Sequence, residues 1–310
     1  MAFLWQRSAG KLFLDINRNE DLTDDPAGAF DAHEAMSGRY QTFAGVRLPL
    51  AGSPGGRTQL VNLSFWDYGA RLNVNASLRS FWQGRVVLSG TDWQVGVVQN
   101  PFDGSGRANY LLLRPWQKSD QPFNVGSGGA LDALNFPQKV FIGDRLYQCE
   151  FSDSQTDLNP ASLQFTGEAG ALGELQITGQ FIQRLVLEGD AQLVVLDQPA
   201  GSVRVPLGVY TEAKVWLKQG ECEAYREPAR RPTDRLLVIE ADKPAMLMAG
   251  GPLSNSVSVV RRGRNLLLNY RLLGVGGDTY QLASSDRLNP PRFSVFVGDT
   301  QIDSGKFEFG

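Results

Sequence analysis

The stretch Asp15 to Asp25, DINRNEDLTDD, places five acidic and two amide side chains in eleven positions, directly behind the apolar run Leu12-Phe13-Leu14. Oxygen-bearing side chains at every second position suit a hard divalent cation, because alternate residues of a tightly wound loop converge while the intervening ones point away. Counted from Asp15, positions 1, 3 and 5 are Asp15, Asn17 and Asn19. Position 7 is Asp21, position 8 the aliphatic Leu22 and position 9 Thr23. Two positions depart from the EF-hand pattern. Position 6 is Glu20 instead of glycine, which strains the sharp turn, and position 12 is Pro26 instead of a bidentate glutamate, so Asp24 and Asp25 must supply that carboxylate. The expectation is a structural calcium ion held by Asp15, Asn17, Asn19, Asp21, Thr23, Asp24 and Asp25. The alternative is a solvated acidic turn whose side chains cap the backbone.

A weaker echo follows the run Trp93–Val98, which enters Gln99-Asn100-Pro101-Phe102-Asp103-Gly104. It keeps one carboxylate and would bind calcium poorly. Catalytic chemistry has less to work with. His33 is the only histidine, so Ser-His-Asp, Cys-His and histidine-bearing zinc sites would all need it, and beside Glu34 it reads as a surface or half-buried residue, not a catalytic base. No GxSxG, GxxxxGK[ST], HExxH or strand-borne GxGxxG pattern occurs. A glycosidase needs only two carboxylates at a suitable separation, and the sequence singles out no pair.

Aromatic residues offer a binding alternative. Trp66, Trp82, Trp93 and Trp116 share the first half with Phe65, Tyr68, Phe81 and Tyr110. Exposed on a sheet, such rings stack on sugars; buried, they fill a core. In Trp66-Asp67-Tyr68 and in Phe81-Trp82 one aromatic is expected to face away from the core. Trp66, Tyr68, Trp82 and Trp93 are therefore the candidate ligand-binding residues.

The elements that would position these groups are strands. Apolar runs of five to eight residues, or alternating ones, recur at Leu60–Phe65, Arg85–Leu88, Trp93–Val98, Tyr110–Leu113 and Leu146–Phe151, punctuated by Gly- and Asp-rich turns. Pro26–Met36 and Ala130–Asn135 are the two segments that invite a short helix. After the turn-rich stretch Phe151–Ser162, strand-like runs come at about ten-residue spacing, as in a sandwich. Seven more follow Asp234. The fold expected is all-β, with tandem Ig-like or prealbumin-like β-sandwich domains and few short helices. Residues 1–157 would form an N-terminal β-domain and 158–310 a C-terminal sandwich region, possibly divided into 158–228 and 229–310.

The piece VRVPLGVYTEAKVWL, Val203–Leu217, resembles the PxGxY turn between two strands of prealbumin-like and other immunoglobulin-like bacterial modules. Pro206 and Gly208 also have a plain reading as turn residues. With the DxNxNxD loop, the aromatic β-rich stretch and the second Asn/Asp/Gly loop, the layout is similar to a loose group of uncharacterised secreted bacterial multi-β-domain proteins. That resemblance implies no particular activity.

Composition sets the remaining bounds. With 30 basic and 33 acidic residues the net charge is −3, and the only basic clusters are Arg230-Arg231 and Arg261-Arg262-Arg264, too little to neutralise a phosphate backbone, so no nucleic-acid partner is expected. No run of about eighteen apolar residues predicts a transmembrane segment. The first residues do not read as a signal peptide. A calcium loop works best outside the cytosol, so the expected location is extracytoplasmic, secreted or periplasmic, with the leader absent from the sequence as given. Cys149 and Cys222 read as buried thiols, with a disulfide as the alternative. Two functions are carried forward. One is a non-enzymatic structural, adhesive or ligand-binding protein, its partner a cell-envelope component or a polysaccharide. The other is a carbohydrate-active enzyme or carbohydrate-binding accessory module with an aromatic face.

Overall fold

The computed structural model describes residues 2–37, 39–49, 58–69, 71–99, 108–116, 123, 133–152, 161–226, 236–263, 265–283 and 290–307. The chain is all-β. It divides into two compact units, residues 1–137 with 150–164, and residues 138–149 with 165–310. The expected boundary near Asp157 and the subdivision at 228–229 lie outside the described residues. Among the described residues no helix is long and apolar enough to cross a membrane.

The first unit contains β1 (Phe3–Gln6), β2 (Lys11–Leu14), β3 (Ala29–Asp31), β4 (Glu34–Ser37), β5 (Tyr40–Pro49), β6 (Thr58–Asp67), β7 (Leu72–Leu78), β8 (Trp82–Leu88), β9 (Thr91–Gln99), β10 (Ala108–Pro115) and β11 (Ala133–Asn135). They form three antiparallel sheets, ordered β1-β2-β3, β4-β5-β6-β7 and β11-β10-β9-β8. Strand β6, TQLVNLSFWD, shows how the sequence does this. Gln59, Val61, Leu63 and Phe65 are buried, whereas Leu60, Asn62, Ser64 and Trp66 are half-exposed. That is the period-two alternation of a strand with one covered face. The buried set joins Leu12 and Leu14 of β2 with Phe43, Val46 and Leu48 of β5 in one core. Each such side chain contributes ~1.5–3 kcal/mol relative to exposure. Strand β9, TDWQVGVVQ, is instead buried without interruption from Trp93 to Gln99, so both its faces are covered.

Among the described residues neither expected segment is an α-helix. After a 3-10 turn at Pro26–Gly28, the segment becomes β3 and β4, because pairing Leu12 with Phe30 and Phe13 with Ala29 extends the sheet that carries the core. A Cβ on Gly28 would lie 2.2 Å from the Leu14 carbonyl oxygen, so only glycine permits the turn to press that closely on β2. Ala133–Asn135, the described part of the second segment, is β11 paired to β10.

The remaining strands are β12 (Lys139–Ile142), β13 (Arg145–Ser152), β14 (Ser162–Glu168), β15 (Leu172–Thr178), β16 (Ile182–Gly189), β17 (Gln192–Asp197), β18 (Gly201–Pro206), β19 (Gly208–Gln219), β20 (Cys222–Arg226), β21 (Leu237–Ile239), β22 (Ala245–Met248), β23 (Ser254–Arg262), β24 (Asn265–Leu273), β25 (Thr279–Leu282), β26 (Arg292–Val297) and β27 (Thr300–Lys306). In the second unit a three-stranded sheet, β18-β15-β22, shares a core with the large sheet that runs through β12-β17-β16-β19-β20-β25-β24-β23. Leu175, Ile177 and Val205 come from the first; Leu185, Leu187, Val194, Val215 and Leu217 come from the second. This is sandwich packing. Among the described residues seven strands follow Asp234. However, β21 pairs with β19, β22 with β15 and β25 with β20, and β24 and β23 continue from β25, so five of the seven extend the preceding sheets, while β26 and β27 pair with each other as a separate hairpin.

The PxGxY motif is the corner between the two sheets. Pro206 ends β18 in one and Gly208 opens β19 in the other. Tyr210 is 1% exposed; its hydroxyl donates to the Pro206 carbonyl at 2.8 Å and accepts from Gln192 Nε2 at 3.0 Å. Gln192 Nε2 also reaches the Leu207 carbonyl at 2.9 Å. A Cβ on Gly208, at φ +153°, would lie 2.6 Å from that nitrogen. Both cysteines are free, Cys149 buried and Cys222 exposed, so the buried-thiol expectation fits only the first. Burial pushes the Cys149 thiol up to about 12.

Candidate functional site

The acidic loop leaves β2 and returns at the Pro26 turn. Asp15, 1% exposed, lies at its root. Its carboxylate accepts from the Asn19 and Glu20 N–H groups, both at 3.1 Å, and from the Ala2 N–H at 3.5 Å. Burial alone would push this carboxyl up; the N–H groups of Glu20, Ala2, Arg18 and Asn19 outweigh it and hold the group below its ordinary value of 3.8. Glu20, at position 6, adopts the left-handed backbone with φ 69°, and Arg18 does the same with φ 65°. The sharp turn therefore forms without glycine, each residue taking a conformation that costs ~1–2 kcal/mol for an L side chain.

Beyond Asp15 the loop is a chain of side chain-to-backbone turns in steps of two. Asn17 Oδ1 accepts from the Asn19 N–H at 3.0 Å, Asn19 Oδ1 from Asp21 at 2.8 Å, and Asp21 Oδ1 from Thr23 at 2.8 Å. The Thr23 hydroxyl adds a bond to Asp21 at 2.6 Å, and the two Thr23 donors together hold that carboxyl below its usual range. The carboxamide nitrogens of Asn17 and Asn19 both meet Asp24, at 3.1 and 2.7 Å. Asp25 turns to the backbone, accepting from Ile16 at 3.1 Å and Asn17 at 3.3 Å. Asn17, Asn19 and Asp24 thus converge, Asp15 and Asp25 serve as backbone anchors, and Asp21 is tied to Thr23. Among the described residues no three His, Cys, Asp or Glu side chains form a metal-holding group. Arg18 is the only cation facing five acidic groups within residues 15–25, so the loop carries a strongly negative local field. The echo loop after Gln99 lies outside the described residues.

The four aromatic candidates separate. Trp93 is 4% exposed and belongs to the core, as expected of a residue on a strand covered on both faces; it is withdrawn as a ligand-binding residue. Trp82, 36% exposed, opens β8 and donates from Nε1 to Gln99 Oε1 at 3.1 Å. Trp66 is on a different sheet from these two, and Tyr68 follows the end of its strand. Within β6 the alternation runs between Phe65, buried, and Trp66, half-exposed. The Trp66 ring packs against Tyr40, directly opposite on β5, with centroids 5.1 Å apart and planes tilted by 35°. Tyr68, 69% exposed, sits in the turn after β6, its N–H bonded to the Arg71 carbonyl at 3.0 Å.

Register extends this surface beyond the aromatic residues. Across β5, β6 and β7 the outward pairs are Tyr40 with Trp66, Thr42 with Ser64, Trp66 with Asn73, Ser64 with Asn75 and Asn62 with Ser77. Directly opposed residues of an antiparallel pair share a face. The row is legible in the sequence as N-x-S-x-W in β6 and N-x-N-x-S in β7, polar residues at period two that the aromatic pattern alone does not mark. His33 is exposed, its backbone N–H donating to the Thr42 carbonyl at 2.8 Å. Comparison of the chain with protein families, curated proteins and solved structures returns no match.

Proposed function

We propose that this chain is a non-enzymatic, extracytoplasmic β-protein with a structural, adhesive or ligand-binding role, and that its N-terminal loop takes up a calcium ion that stabilises it. The observation that carries the metal reading is the meeting of Asn17, Asn19 and Asp24 at the mouth of a loop rooted on Asp15. Asn17 Oδ1 and Asn19 Oδ1 each accept one N–H and keep a second lone pair. Asp24 and the second oxygen of Asp21 supply the carboxylate charge that a calcium ion requires. Calcium loops of millimolar to micromolar affinity work best outside the cytosol, which is the support for the extracytoplasmic location.

Paired thermal melts of the intact chain in millimolar calcium and in excess EDTA test the proposal. At a calcium concentration ~100 times the dissociation constant, stabilisation of about 2.7 kcal/mol is expected, a melting rise on the order of 5 °C. Asp24→Asn should remove the rise while leaving the EDTA melt in place. Coincident melts of the unmodified chain would make the stretch a capped acidic turn. The second reading, a carbohydrate-binding module, is favoured by the half-exposed Trp66 and Tyr40 pair and the exposed Tyr68.

A further inference from the structure

We infer that the outer face of β5, β6 and β7 binds an uncharged polysaccharide in extended form; the inference rests on the ligand-binding role proposed above and does not depend on calcium. A sugar ring has a C–H face, which stacks on aromatic rings, and a rim of hydroxyls that both donate and accept. Tyr40 and Trp66 supply the rings, and they are in contact with each other on the half-exposed face of the sheet. Ser64, Asn73, Asn75 and Ser77 supply the rim contacts, since each of these side chains also donates and accepts.

Three properties fit this ligand over others. The ring, Asn and Ser positions of this face are uncharged; among the paired outward positions of β5, β6 and β7 only Arg47, opposite Leu60 and six positions along β6 from Trp66, carries charge, so the face offers one cation and no cluster of the arginines and lysines that recognise carboxylated or sulfated chains. None of Thr42, Ser64, Asn73, Asn75 and Ser77 has its side chain engaged in a hydrogen bond among the described residues, leaving donors and acceptors for a ligand. The groups form rows, with strands ~4.8 Å apart and next-but-one residues ~6.7 Å apart along each. That lattice presents repeated contacts to a repeating chain and does not enclose a single small molecule.

The test is native affinity electrophoresis of the intact chain in gels containing galactomannan, xylan, hydroxyethylcellulose or, as an anionic comparison, polygalacturonate, each with calcium and with EDTA. At least one neutral polymer should retard the protein and polygalacturonate should not. Trp66→Ala is expected to weaken retention on the order of tenfold. The double variant Asn73→Ala/Asn75→Ala, on an exposed strand, should weaken it several-fold with an unchanged melt. Equal mobility in all three neutral gels, retardation by polygalacturonate alone, or full retention in either variant with a wild-type melt would overturn the inference. Retention without any calcium-dependent melt would leave the sugar face standing and remove the metal. Release of reducing ends from the retained polymer would overturn the non-enzymatic reading alone.

Discussion

Asp15 and Tyr210 are each 1% exposed and each closes a turn, yet they hold their polar groups in opposite ways. Tyr210 is neutral, its hydroxyl joined to one carbonyl and one side-chain amide beneath the corner between two sheets. Burial pushes its phenol up, so it stays protonated. Asp15 keeps its charge because N–H groups of its own loop surround it. A corner built on a neutral group depends on the fit of a ring in a core. A loop built on a charged group depends on the solution around it: its pH, its salt and its cations.

The largest separation of the two should come from truncation. Tyr210→Ala is expected to cost ~3–5 kcal/mol, the range for removing a large buried ring, whereas Tyr210→Phe should cost about 1 kcal/mol for the lost hydrogen bond. Urea unfolding measures both. Equal losses would mean that the hydroxyl bonds, not ring packing, hold the corner.

Acid separates them next. Asp15 and Asp21 both lie below their ordinary value of 3.8 in the folded chain. Their contribution to stability is therefore complete above that value and is lost as pH falls below it through the folded-state values. Melts between pH 5 and pH 2, about the titration range of carboxyl groups, should decline more shallowly for Asp15→Asn than for the unmodified chain. Parallel declines would place the acid sensitivity elsewhere. The smallest expected effect is Glu20→Gly, which relieves the left-handed backbone at that residue and should stabilise the loop by ~0.5–1 kcal/mol. A destabilised Glu20→Gly chain would mean that the glutamate side chain contributes more than its backbone strain costs.

Strand identity was legible wherever a period-two pattern met a single covered face, as in β6. The Pro26–Met36 segment misled because local composition favoured a helix while the pairing of Phe30 with Leu12 lay fifteen or more residues away, beyond any local pattern. Trp93 misled for a related reason: an aromatic residue on a strand looks the same in sequence whether one face or both are covered. Within the loop the ligand-type residues were plain from spacing. Their division into backbone anchors, Asp15 and Asp25, and a converging group, Asn17, Asn19 and Asp24, was not.

The sequence by itself determined that this is an all-β chain, that Asp15 to Asp25 forms an acidic loop of alternating oxygen donors, and that Pro206 to Tyr210 makes a turn. Those properties follow from residue type, near-neighbour spacing and backbone preference, which act within a few residues. Only the tertiary structure decided that Tyr210 locks a corner between two sheets, that β21 to β25 complete sheets begun earlier, and that Tyr40 on β5 meets Trp66 beside the Asn and Ser rows of β6 and β7. The physical reason is that strand register sets which side chains share a face, and register is fixed by burial across the whole sheet.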